Sequence, residues 1–164
     1  MQARGPARGY YLEPTKSILV VAPGNVARAE EHFRGLEIRV VMGHCYLRGF
    51  IGDADTERDW LREKIQGWSE SVKVLAGVAH KHPQSAYAGL QKYLQQEWDF
   101  VQRVTPGVGE AFGLVEEALR EIFVPELFEG LREGVPEREN TRLPVKQVGL
   151  DLTDPIQTAP ECCD

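Results

Sequence analysis

The sequence predicts an α+β protein, mainly α, with a small β-containing lobe at the N-terminus followed by an antiparallel helical bundle. Three observations predict it. Short β-branched runs bounded by Pro and Gly crowd the first 53 residues, apolar residues recur at helical spacing from residue 54 to about 130, and beyond Gly130 the period disappears.

The elements follow in order. Ser17-Ile18-Leu19-Val20-Val21-Ala22 is a β-branched run stopped by Pro23-Gly24, which predicts a buried strand near 17–22. Asn25 can cap a helix whose apolar positions Val26, Ala29 and Phe33 run to Gly35. Glu37-Ile38-Arg39-Val40-Val41 alternates polar and apolar, and after Gly43-His44 a second run covers 45–52, so the two are expected to form an antiparallel pair. Asp53 or Asp55 can cap a long helix carrying Leu61, Ile65, Trp68, Val72, Leu75 and Ala79 in alternating steps of four and three. Pro83 can start a second helix with Tyr87, Leu90, Leu94, Trp98 and Val101 along one side. Thr105-Pro106 offers a third start, with Phe112, Val115, Leu119 and Ile122 as its stripe and Pro125 as a kink or restart. Residues 131–164, with Gly134, Pro136, Pro144, Pro155 and Pro160 among scattered charges, are expected to be an extended or disordered tail. The expected domains are therefore 1–53, 54–130 and 131–164.

Composition narrows the function classes. No apolar run approaches the ~20 residues needed to span a bilayer, and no apolar segment follows Arg4 and Arg8 that could act as a secretory signal, so an intracellular protein, cytoplasmic or nuclear, is expected without a membrane partner. Cys45, Cys162 and Cys163 are expected as reduced thiols, because an odd count makes a poor disulfide framework. The net charge of −6 is unevenly spread. Residues 1–16 sum to +2, residues 17–104 balance, and residues 106–164 hold thirteen acids against five bases, or −8. A protein that tracks a nucleic-acid backbone usually presents a basic stripe, and none is evident here.

Chemistry-bearing patterns are sparse. There is no Gly-rich phosphate loop, nucleophile elbow, paired-cysteine zinc spacing or His-Glu-x-x-His. His44, Cys45, His80 and His82 lack the spacing of a ligand set, so no metal site is expected from them. Asp53-Ala54-Asp55 could attract a divalent ion, but helix capping explains both carboxylates more simply.

The run from Gly5 to Ser17, containing Tyr10-Tyr11-Leu12-Glu13-Pro14-Thr15-Lys16, and the run Tyr46-Leu47-Arg48-Gly49-Phe50-Ile51-Gly52-Asp53 together resemble a known family. They are similar to the segment after the catalytic hairpin of non-LTR retrotransposon reverse transcriptases, which are RNA-directed DNA polymerases. Trp60-Leu61, His82-Pro83-Gln84-Ser85-Ala86-Tyr87, Gln96 to Thr105 and Leu143-Pro144-Val145-Lys146 match in the same order, so the likeness covers most of residues 5–155.

The resemblance implies the last part of the palm, the primer grip and the helical thumb. It makes Lys16 the proton donor to departing pyrophosphate, a role that lowers the barrier when the ammonium sits beside the leaving group. It makes Tyr46-Leu47-Arg48-Gly49 the tight primer-grip hairpin, with one departure: the family usually has glycine where Arg48 stands. A solvated lysine flanking a strand is the plainer account of Lys16, and ordinary half-buried strand residues account equally well for Tyr46, Phe50 and Ile51. Trp60, Trp68 and Trp98 invite a stacking role in the thumb, but Trp68 and Trp98 fall on the apolar stripes and are expected in the core.

In the intact family enzyme two magnesium ions are held by carboxylates, including a Tyr-x-Asp-Asp turn, that lie upstream of anything in this sequence. The chain is therefore expected to need no cofactor, to start after the catalytic motifs, and to position a template-primer duplex rather than catalyse; an upstream polymerase segment is a possible partner. Two other readings stand beside this one. The Leu61–Ala79 stripe could make a helical protein-protein interaction module, or the chain could be a nonfunctional remnant.

Overall fold

The computed structural model describes residues 9, 11, 13–105, 107–129, 136, 138–147 and 149–158. The fold is α+β and mainly α, with strands, among the described residues, confined to the N-terminal part and helices after it. The chain divides into two compact units, Met1–Asp59 and Trp60–Asp164, so the division falls six residues beyond the expected 53.

In the first unit, strand β1 (Ile18–Val20) leads through a 3-10 turn at Pro23–Asn25 into helix α1 (Val26–His32) and on to strand β2 (Arg39–Val41). β1 and β2 pair in parallel, Ile18 with Arg39 and Val20 with Val41. Parallel neighbours need a crossover connection, and α1 supplies it.

This corrects the expected antiparallel pairing of 37–41 with 45–52. The stretch after Val41 instead folds on itself as β3 (Gly43–Tyr46) and β4 (Gly49–Gly52), an antiparallel hairpin pairing His44 with Ile51 and Tyr46 with Gly49. The Phe50 ring lies across Gly43 and Gly52, where a Cβ at either position would collide with it, which is why glycine occupies both ends of the hairpin.

Helix α2 (Ala54–Ala79) begins at a cap formed by Asp53. Its Oδ1 accepts from the amides of Asp55 at 3.1 Å and Thr56 at 3.3 Å, and its Oδ2 from the Thr56 hydroxyl at 2.6 Å. The Thr56 hydroxyl bond, above all, holds the Asp53 carboxyl below its ordinary pKa, with the two amide bonds acting the same way.

The second unit is built from α2 beyond Asp59 and two further helical stretches. One runs through α3 (Pro83–Gly89), a π turn at Leu90–Leu94 and α4 (Gln95–Val104). The other runs through a 3-10 turn at Gly109–Phe112, α5 (Gly113–Ala118), a π turn at Leu119–Phe123 and α6 (Val124–Leu127). Cross-contacts set the directions. Leu75 meets Gly89 while Trp68 reaches Glu97, so α2 and α3–α4 are antiparallel. Ser69 bonds the Leu114 carbonyl while His80 pairs with Glu129 at 2.7 Å, so the third stretch runs back alongside α2.

The third helical stretch starts at Gly109 rather than at Thr105-Pro106. Its π turn leads into α6, whose second residue, Pro125, has no N–H for the carbonyl of Glu121 and a ring that would crowd that carbonyl in a regular helix. Widening the turn relieves both problems.

The predicted stripe becomes the core. Leu61, Ile65, Trp68, Val72 and Ala79 are buried together with Leu90, Trp98, Val101, Phe112, Val115, Leu119 and Phe123. Each such side chain contributes roughly 1.5–3 kcal/mol by leaving water. Trp68 stacks on Phe112 with centroids 5.7 Å apart and meets Trp98 edge-on at 6.5 Å, while its indole N–H donates to Glu97 at 3.2 Å.

The expected tail is, over its described residues, part of this unit. Helix α7 (Arg138–Arg142) and a 3-10 turn at Val145–Gln147 precede a segment whose Leu152 and Pro155 are buried. Tyr87, Gln95 and Gln102 on α3–α4 donate to the carbonyls of Leu150, Asp151 and Pro155. The buried Arg138 guanidinium makes a two-pronged bond to Glu116 at 3.0 and 2.9 Å and also donates to the carbonyls of Leu152 and Thr153. Residues 131–135, 137, 148 and 159–164 of that stretch lie outside the described residues.

Candidate nucleic-acid interface

The residues predicted to matter all lie in the first unit. Lys16 ends a 3-10 turn at Pro14–Lys16, immediately before β1. Its ammonium is ion-paired with Glu13, and its side chain is 80% exposed. An exposed pair of this kind stabilises little, so the ammonium can exchange Glu13 for another anion at small cost.

The hairpin tip is strained. Pairing of Tyr46 with Gly49 leaves a two-residue turn, and both of its residues have positive φ: 49° at Leu47 and 70° at Arg48. Two left-handed residues match the twist of the flanking strands, but the arrangement favours Asn-Gly over Leu-Arg. The glycine that the family resemblance expects at position 48 is thus the residue that this geometry favours, and Arg48 occupies it under strain. The tip is also apolar and in solvent, with Leu47 75% and Tyr46 60% exposed. Strain and exposed apolar area at one place cost stability.

Alternation along the strands then builds a concavity. Side chains two apart share a face, so His44 and Tyr46 on β3, with Ile51 opposite His44 on β4, line one wall; Ile18 and Val20 on β1 line the other, and Lys16 stands at the rim. The cavity measures about 370 Å³. Among the described residues its lining holds one ammonium, one imidazole, one phenol and three aliphatic side chains, and no carboxylate.

The resemblance names Lys16 and Tyr46, and the fold brings these two into one concavity. Leu47 and Arg48 form the turn, and Gly49 opens β4. His44 was weighed only as a metal ligand; its place in the wall follows from hairpin register, which the alternation of 43–52 signals only once the turn at 47–48 is known.

Among the described residues, the carboxylates that could be offered to the magnesium implied by the resemblance are engaged elsewhere. Asp53 is engaged by Thr56, and Asp55 pairs with Arg58 at 3.0 Å. Among the described residues no group of three or more His, Cys, Asp or Glu side chains is placed to hold a metal ion. Likewise, no helix among them is long and apolar enough to cross a membrane.

Comparison with protein-family models, with curated proteins and with solved structures finds no match.

Proposed function

We propose that this chain is the end-of-palm, primer-grip and thumb part of a retroelement reverse transcriptase, acting inside the cell, cytoplasmic or nuclear, to position the end of a template-primer duplex. Nucleotidyl transfer itself needs carboxylate-held metal ions that the described residues do not provide. One observation carries the reading: Lys16 and Tyr46, singled out separately by sequence likeness and 30 positions apart, share a concavity beside a strained, solvent-facing hairpin tip. One further feature fits a positioning role: the Trp68–Trp98–Phe112 cluster gives the helical unit a rigid aromatic core. The acidity of residues 106–164 works against phosphate contacts there.

Fluorescence anisotropy with a labelled primed RNA template at low salt tests this. Saturable binding is expected, weakened by Tyr46→Ala and by Lys16→Gln and unaffected by Arg120→Ala. Because so few cations are available, the slope of log affinity against log salt should correspond to about one to three phosphates. Absence of saturable binding at low salt overturns the proposal.

The interaction-module reading loses its coiled-coil seam, because the Leu61–Ala79 stripe is buried in the protein's own core. A groove holding the exposed Val74 and Tyr93 is the surface that still favours it, and a strict monomer in sedimentation at high concentration would remove that support.

A further inference from the structure

We propose that the groove between α2 and the α3–α4 stretch seats one helix of another protein, apolar on the face it buries and rich in lysine or arginine along its flanks. The groove lies wholly within the second unit, so this occupant is independent of what the hairpin meets.

Shape selects a protein surface first. The groove measures about 690 Å³, yet Tyr93 on one wall is 76% exposed and Val74 on the other is 70% exposed. A small molecule is held by burying most of its surface, which walls this open do not do, whereas a helix laid along them covers both side chains. From Gly67 to Leu75 the α2 wall runs about 12 Å at about 1.5 Å per residue, enough for roughly two turns of a second helix.

The floor permits close approach. Gly67 and Ser71 lie one turn apart on α2, and the Ser71 hydroxyl donates back to the Gly67 carbonyl at 2.8 Å, so it needs no outside partner. A Cβ at Gly67 would find no described atom within 4 Å beyond its own stretch of helix, so the chain's own packing does not require glycine there. Glycine in mid-helix costs stability, and what it leaves here is room for another backbone.

Charge selects the partner. Glu70 and Glu97 line opposite walls, and both accept from neutral donors, the Gln66 amide at 3.0 Å and the Trp68 indole N–H at 3.2 Å. Among the described residues no cation lines the groove; Lys73 and Lys92, the cations nearest these two in sequence, stand outside it. A second copy set face to face would bring two carboxylates from each copy into one seam, between chains that each carry a net charge of −6. Like charges so placed oppose association, and a cationic helix meets the opposite field. A strict monomer in sedimentation removes self-association and leaves this occupant standing, because the partner is a different chain.

The test titrates the whole chain with a synthetic peptide that has leucines at i, i+3 and i+4 spacing and lysines on its flanks. Its controls are the same peptide with glutamate for every lysine, and the lysine peptide shuffled out of period. The Val74 methyl and Tyr93 ring NMR shifts report occupancy. The lysine peptide should bind saturably and about 10-fold tighter than either control, with an affinity that falls as salt rises. Tyr93→Ser should weaken it about 10-fold, and Glu70→Gln several-fold at low salt but little at high salt. Gly67→Leu should weaken it at least about 10-fold in a chain that circular dichroism shows to be folded. Gly67→Ala should raise the urea midpoint and still weaken the peptide, an opposition that a glycine serving only the fold would not produce.

The proposal is overturned if the glutamate peptide binds as well as the lysine peptide, or if Tyr93→Ser and Gly67→Leu leave the lysine peptide's affinity unchanged. It is equally overturned if the Val74 and Tyr93 shifts follow the chain's own concentration and sedimentation shows a dimer, which would assign the groove to a second copy.

Discussion

Replacing Arg138 with alanine removes the pin that fastens the 138–158 segment to the helical unit. The guanidinium makes five hydrogen bonds of 2.9 to 3.0 Å: two to the Glu116 carboxylate, one to the Thr141 hydroxyl, and one each to the carbonyls of Leu152 and Thr153. Its side chain is 6% exposed and that of Glu116 is 12% exposed, so truncation strands a buried carboxylate.

Breaking a buried pair from one side costs about 3–5 kcal/mol. Arg142 still reaches Glu116 at 3.1 Å and Asp154 at 2.8 Å, which moves the expectation to the lower end, about 3 kcal/mol. That is a large part of the ~5–15 kcal/mol stability of an ordinary domain. Urea denaturation followed by far-UV circular dichroism measures the loss, and hydrogen exchange at the Leu152 amide, which donates to the Thr141 carbonyl at 3.1 Å, reports the segment locally. A loss below about 1 kcal/mol with the Leu152 amide still protected refutes the pin. The double variant Glu116→Gln, Arg138→Met should recover much of the loss, since it leaves no stranded charge.

Two further outcomes follow from single residues. Asp99 is half-buried and its Oδ1 has no hydrogen-bond partner among the described residues; burial above all raises its carboxyl to about 6, with Asp151 adding repulsion against the pull of Arg103 and the neighbouring Thr153. A carboxyl raised on folding contributes stability that is complete below its unfolded pKa and is lost as pH rises through about 6, so the protein should be more stable at pH 4.5 than at pH 7.5 as far as Asp99 is concerned. Asp99→Asn should abolish that dependence and add roughly 1–2 kcal/mol at pH 7.5 after allowance for solvent screening; parallel thermal melts of the two proteins with no difference in pH slope would count against it. Arg48→Gly relieves the 70° φ at the hairpin turn and should stabilise the first unit by about 1 kcal/mol, read as a higher urea midpoint; a lower midpoint would mean that Arg48 makes a contact that outweighs its strain.

How much of this was legible in the sequence depends on how locally each feature is encoded. The α2 stripe was readable because Leu61, Ile65, Trp68, Val72 and Ala79 repeat at helical spacing and nothing but a helix buries them together. Strand pairing was not, because β1 and β2 are three residues each and the choice of partner turns on Leu47-Arg48, a turn without the Asn-Gly signal that usually announces it. The 138–158 segment escaped for a related reason. Its anchors, Arg138, Leu152 and Pro155, follow no period, and Glu116, which receives Arg138, lies 22 positions away on another helix. In the candidate site, Lys16 and Tyr46 were found by likeness to a family, whereas His44, Ile18, Val20 and Ile51 emerged only from register and alternation in the folded unit.

The most direct measurement is photo-cross-linking with a primed RNA template that carries a photoreactive base at the primer's 3′ end. Mass spectrometry of the digested adduct should place the cross-link on the peptide containing Tyr46 to Gly49, with a second product at Lys16. Cross-links confined to α5 and α6, or none above the level of an unprimed strand, would contradict the assignment of the hairpin and its concavity as the surface that meets the duplex end.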